Sequence, residues 1–163
     1  MEEKDQYEHA RQNALGSLAS IREMVARLEH ADECNGDPDD CELVNPEGTP
    51  SIWRPLTTGE SFDDYHDADA ARQAIEEDAL SVQVRSGWYS PGAEHEVEEF
   101  EILLTTGGPA LRIVGDLDQY GQPECPRLEI QDWFIPWQEV ALDSEDYAAL
   151  RAYCAVFYFG DGS

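Results

Sequence analysis

The sequence predicts an α+β fold: an antiparallel sheet of about four strands covered by a long N-terminal helix, a short helix and a C-terminal helix. Three observations carry that expectation. An apolar stripe at helical spacing lies near the N-terminus, alternation of apolar and polar residues takes over after Ala79, and helical spacing returns after Asp143. With 163 residues the chain is sized for a single domain, 1–163, able to bury about 70% of its unfolded surface.

Asp5 to His30 reads as a helix because Ala14, Leu18, Ile21, Val25 and Leu28 fall on one face and no proline interrupts. Asn35-Gly36 then gives a turn signal. The stripe packs on the chain's own sheet or, alternatively, pairs two copies in a homodimer. Residues 31–66 read as an acidic irregular loop, with Ile52, Trp53 and Leu56 pinning its end to the core. Asp67 or Asp69 caps a second helix running to about Asp78, with Ala70, Ala71, Ala74 and Ile75 facing inward. Leu80, Val82 and Val84 alternate with Ser81, Gln83 and Arg85 in a first strand, and GWYSPG (87–92) turns the chain. Phe100 to Thr106, Ala110 to Val114 and Arg127 to Trp133 continue as an antiparallel meander. They are joined by Gly107-Gly108-Pro109 and by a turn within Asp116 to Pro126. Asp143 opens the last helix with acids in its first turn, where the helix dipole favours them, and Tyr147, Leu150, Tyr153, Cys154 and Phe157 form its apolar face.

Charge is the loudest signal. There are 36 acidic and 10 basic residues, a formal charge of -26, and Lys4 is the only lysine. Such a surface excludes direct binding to nucleic acid or to an anionic membrane, because neutralising phosphates takes a basic face. No apolar run approaches the ~18–20 residues of a membrane helix. MEEKDQYEHA lacks the basic start and apolar stretch of a signal peptide. The expected location is therefore cytoplasmic, with Cys34, Cys41, Cys125 and Cys154 as reduced thiols. Cys34 and Cys41 can close a loop if oxidised, but their spacing matches no common zinc pattern.

Catalytic motifs are missing. The chain has no GxxxxGK[ST], GxSxG or GxGxxG. His95-Glu-Val-Glu-Glu99 imitates the start of a zinc-protease helix but sets Glu99 where the second His belongs. Asp116-Leu-Asp118-Gln-Tyr-Gly121 opens like a calcium loop, yet Arg127 stands where the closing carboxylate is needed, so it reads as a turn between strands. His66 among Asp63, Asp64, Asp67 and Asp69 reads as a solvated acidic face rather than a metal or acid–base cluster. Cys125 has no basic neighbour to activate it. The sequence therefore predicts no enzyme, no catalytic residue, no cofactor and no metal ligand.

The acids are clustered, and self-repulsion of that density needs a reason. The candidate partner-binding residues are Asp63, Asp64, Asp67 and Asp69; Glu76, Glu77 and Asp78; and Glu94, Glu96, Glu98, Glu99 and Glu101. On a strand, Glu94, Glu96 and Glu98 would project from one face about 7 Å apart, close to the spacing of phosphates. Trp53, Trp88 and Tyr89 are candidate anchors, with core packing as the competing role. Salt adaptation is the rival account of the charge, since acids with almost no lysine suit a saline cytoplasm. A module binding some other basic protein, such as a toxin, and an enzyme using two carboxylates are weaker accounts.

In size, acidity, single-domain organisation and lack of catalytic motifs, the chain resembles the small acidic antirestriction and anti-CRISPR inhibitors of mobile genetic elements, many of them DNA mimics. GWYSPG (87–92), TTGGPA (105–110) and QDWFIPW (131–137) are similar to segments of mobile-element proteins. The resemblance implies a non-enzymatic inhibitor that binds the basic nucleic-acid-binding surface of a host defence complex, a CRISPR effector or restriction nuclease. It carries over no functional residue position by position. The alternative is a salt-adapted cytoplasmic protein-interaction domain without mimicry.

Overall fold

Alternation between residues 99 and 131 places Phe100, Ile102, Leu104, Leu111, Ile113, Leu128 and Ile130 on one face of a sheet, and all seven are buried. The computed structural model describes residues 3–34, 41 and 66–160. Among these, the elements run α1 (Glu3–Glu33), α2 (Ala68–Asp78), β1 (Ser81–Arg85), β2 (Glu99–Thr105), β3 (Ala110–Leu117), β4 (Pro123–Gln131), β5 (Gln138–Glu139) and α3 (Ser144–Cys154). The strands form one antiparallel sheet in the order β1-β2-β3-β4-β5, so the α+β architecture holds, with a short fifth strand added. No helix among the described residues is long and apolar enough to cross a membrane.

The helices cover the apolar face. Ala10, Ala14, Leu18, Ile21, Val25 and Leu28 of α1 are all buried in the chain's own core. Asp67 caps α2, its Oδ1 accepting the Ala70 N–H at 3.1 Å, and Ala71 and Ile75 face inward. Asp143 caps α3 in the same way, accepting from the Asp146 N–H at 2.8 Å. Ala149, Leu150, Tyr153 and Cys154 are buried, whereas Tyr147 stays exposed and Phe157 lies half-buried beyond the helix end. Ion pairs tie the layer together: Arg22 of α1 to Glu145 (2.7 Å) and Asp146 (3.1 Å), and Arg72 of α2 to Asp32 (2.9 Å) of α1. Ile52, Trp53 and Leu56 lie outside the described residues, as does most of the expected 31–66 loop; its first three positions belong to α1.

Three strands differ from the expectation, each for a local reason. β3 runs on to Leu117 and β4 starts at Pro123, so the connecting turn shrinks to 118–122, with Asp118 Oδ1 accepting from the Tyr120 and Gln122 N–H groups. Pro126 is tolerated in β4 because the register shifts there and Cys125 takes a positive φ of 47°. Gly115 opposite leaves room: a Cβ on it would stand 2.7 Å from the Phe100 ring and 2.8 Å from the Glu124 carbonyl oxygen. In β1, Val82 and Val84 pair with Ile102 and Phe100 but remain exposed, because β1 is the edge of the sheet among the described residues, with β2 as its neighbour there.

The TTGGPA and QDWFIPW segments meet. Trp133 Nε1 lies directly over Gly108, and the buried Asp132 accepts the Trp133 N–H at 2.7 Å while facing His9 Nδ1 at 3.5 Å. The next residue, Phe134, is 98% exposed and held at φ 69°, a left-handed conformation that strains a bulky side chain. Phe134→Asn is therefore expected to raise unfolding free energy by about 0.5–1 kcal/mol, since asparagine enters this region more readily. Urea unfolding checks it, and a loss of stability would show that the ring makes a contact the fold relies on.

Candidate functional site

The structure divides the twelve acids singled out from the sequence. Asp63 and Asp64 lie outside the described residues. Asp67 is a helix cap. Asp78 accepts the Tyr153 hydroxyl at 2.7 Å and so serves the core. Glu99 accepts from Arg85, and Glu101 accepts from Arg112 at 2.7 Å. Asp69, Glu76, Glu77, Glu94, Glu96 and Glu98 remain as exposed acids, Asp69 lying 3.5 Å from Arg72 and Glu77 accepting from Gln73.

Glu99 and Glu101 are neutralised on the sheet face opposite the buried apolar one, where no helix among the described residues packs. Register puts Arg85 opposite Glu99, and Arg112 beside Glu101 and opposite Glu129. Arg112 Nε also donates to Glu129 at 2.8 Å, and its guanidinium lies 4.1 Å from the Trp137 ring centroid. The hydrogen bond from Arg85 holds the Glu99 carboxyl below its ordinary range and raises the guanidinium in turn. Arg127 lines the same hollow of about 360 Å³. This face is a matched ladder of opposite charges, not an acidic stripe.

Segment 86–98, between β1 and β2, is different. It forms no strand, so the regular spacing expected for Glu94, Glu96 and Glu98 is not realised. These three carboxylates are nevertheless exposed, and no ion pair holds them among the described residues. With Trp88, Tyr89 and His95 they surround a hollow of about 720 Å³. Trp88 is fully exposed, and Tyr89 stacks flat on His95, with centroids 4.0 Å apart and planes 4° from parallel. Both aromatics thus stand outside the core.

A fourth group escaped the sequence reading. His30 and Cys34 sit at the end of α1, one turn apart, where the Cys34 N–H donates to the His30 carbonyl at 2.8 Å. His66 immediately precedes the α2 cap, and its ring turns toward α1 rather than toward Asp67 and Asp69. His30 Nε2 and His66 Nε2 are 2.9 Å apart, and the buried Cys41 Sγ is 3.4 Å from each. With Cys34 Sγ, the four donor atoms all lie within 4.8 Å of one another. Elsewhere, Cys125 is exposed, and burial pushes the Cys154 thiol far above its ordinary range.

No protein-family model, no curated protein and no solved structure matches the chain.

Proposed function

We propose that this protein is a non-enzymatic acidic inhibitor that binds the basic nucleic-acid-binding surface of a host defence complex, a CRISPR effector or restriction nuclease, by imitating DNA. The observation that supports this best is the groove of segment 86–98. An exposed Trp88 and a stacked Tyr89–His95 pair offer flat rings, and Glu94, Glu96 and Glu98 set carboxylates around them. Rings stand in for bases and carboxylates for phosphates. An arginine from a cationic groove finds both a π face and counter-charges there. A net charge of -26 steers the approach over longer range.

The test is capture of the partner from nuclease-treated host lysate, followed by competition with added DNA. Trp88→Ala is expected to weaken the captured complex by about 2 kcal/mol or more, roughly 30-fold, as loss of an aromatic anchor does. The triple variant E94Q/E96Q/E98Q is expected to weaken it and to flatten its salt dependence. A partner that DNA does not displace, or one that binds both variants as tightly as wild type, refutes the reading.

One observation favours the alternative of a salt-adapted interaction domain. Exposed acids also stand on elements far apart in sequence, with Asp5, Glu23 and Glu29 on α1, Glu76 on α2 and Glu145 on α3. That reading requires strong stabilisation of the fold by molar potassium chloride, which thermal unfolding across a salt series measures.

A further inference from the structure

We infer that His30, Cys34, Cys41 and His66 bind one structural zinc ion. The inference rests on donor geometry and is independent of the partner reading above. A tetrahedral zinc, with bonds of ~2.3 Å to sulfur and ~2.0–2.1 Å to nitrogen, holds its donors about 3.3–3.8 Å apart. The two Cys41–His distances are 3.4 Å, the imidazole nitrogens are 2.9 Å apart, and all four donors fall within 4.8 Å. Shifts of a few tenths of an ångström set His30, His66 and Cys41 in place, and a movement of about 1 Å by the Cys34 side chain completes the polyhedron. Two Nε2 atoms 2.9 Å apart share either a proton or a cation, and a thiol 3.4 Å from both, with a second sulfur within 4.8 Å, favours the cation.

The donor set also selects the metal. Two thiolates with two imidazoles suit zinc, whereas calcium and magnesium take oxygen. On binding, the Cys34 and Cys41 thiols each release a proton to solvent. The two histidines donate their Nε2 lone pairs and keep their protons on Nδ1. The resulting site is neutral overall, so it adds nothing to the charge of a very acidic chain. All four positions come from the protein, leaving none for water, which makes the ion a clamp rather than a catalyst. It joins the C-terminal end of α1, Cys41 and the entry to α2, beside the Arg72–Asp32 pair that spans the same two helices.

The experiment uses the full chain, purified without chelator, with metal content read by mass spectrometry. Chelator-stripped protein is then titrated with cobalt(II) as a spectroscopic probe and with zinc in competition. Expected are about one zinc per chain, the intense visible bands of tetrahedral cobalt, and thiolate-to-metal charge transfer. Surface carboxylates give neither spectrum. Cys41→Ser and His66→Asn should each weaken zinc by more than the 10–100-fold that loss of an outer-shell partner causes. His9→Gln should change nothing. The inference is overturned by an octahedral, thiolate-free cobalt spectrum in the wild-type chain, by zinc that persists undiminished in C34S/C41S, or by a Cys34–Cys41 disulfide in the freshly purified protein. The wild-type titration decides the matter even if the variants fold poorly.

Discussion

Ile113→Ala is expected to lower the free energy of unfolding by about 3–4 kcal/mol, within the range for removing most of a buried isoleucine side chain. Ile113 is fully buried on the central strand β3, in register with Ile102 on one side and Leu128 on the other, both also fully buried. Truncation opens a void in the middle of that row, where flanking strands fixed by their ladders cannot close in. For a domain stabilised by about 5–15 kcal/mol, this is a large share. Ile113→Val, which removes one methylene, is expected to lose about 1 kcal/mol. Chemical denaturation of both variants checks the pair. A loss below about 1 kcal/mol for the alanine variant would mean that the row is not the centre of the core.

The second large effect is alkaline. Burial, with help from the hydrogen bond to Asp78, pushes the Tyr153 hydroxyl far above its ordinary 10.0, and burial alone raises Cys154 from 9.0. Above those ordinary values the unfolded chain has lost both protons while the native one keeps them. Unfolding then releases protons, so stability, complete below pH ~9, falls as pH rises. The slope reaches about 1.4 kcal/mol per pH unit for each group, or nearly twice that once both count. Tyr153→Phe removes one of the two contributions and should make the alkaline decline shallower. At neutral pH it forfeits the bond to Asp78, for a loss of about 1 kcal/mol. Urea midpoints measured from neutral pH to about pH 11 test both parts. An alkaline slope identical in the two proteins would contradict the assignment.

What the sequence discloses is what local periodicity encodes. The α1 stripe, the start of the last helix at Asp143 and the alternation of β2 to β4 are visible as spacing, and of Asp67 and Asp69 it is Asp67 that caps α2. Cross-strand facts are another matter. That Glu99 and Glu101 are consumed by Arg85 and Arg112 follows from the β1–β2 and β2–β3 registers, which no single strand's spacing encodes, just as two prolines disguise the start of β4 as a turn. Val82 and Val84 alternate like core residues, but alternation does not say which strand will be an edge.

The His–Cys cluster was hidden for a similar reason. Its donors come from three separated positions, and the local half of the signal, His30-Ala-Asp-Glu-Cys34, needs a helix running to Glu33. The apolar stripe stops at Leu28, so spacing alone ends the helix at His30 and does not pair it with Cys34 one turn on. His66 was misleading in its own way, since its sequence neighbours are carboxylates while its spatial neighbours are an imidazole and a thiol.

The outer side of β1 bears on how copies of this chain meet in a crowded solution. A strand with no neighbour along one border among the described residues, and with Val82 and Val84 part-exposed, is a template for zipping to its twin. At physiological ionic strength the repulsion between two chains of charge -26 decays over about 8 Å, longer than the ~4.8 Å between paired strands, and so opposes that approach. In molar salt that reach contracts to about 3 Å, inside the joining distance. Acidity then opposes the approach far less.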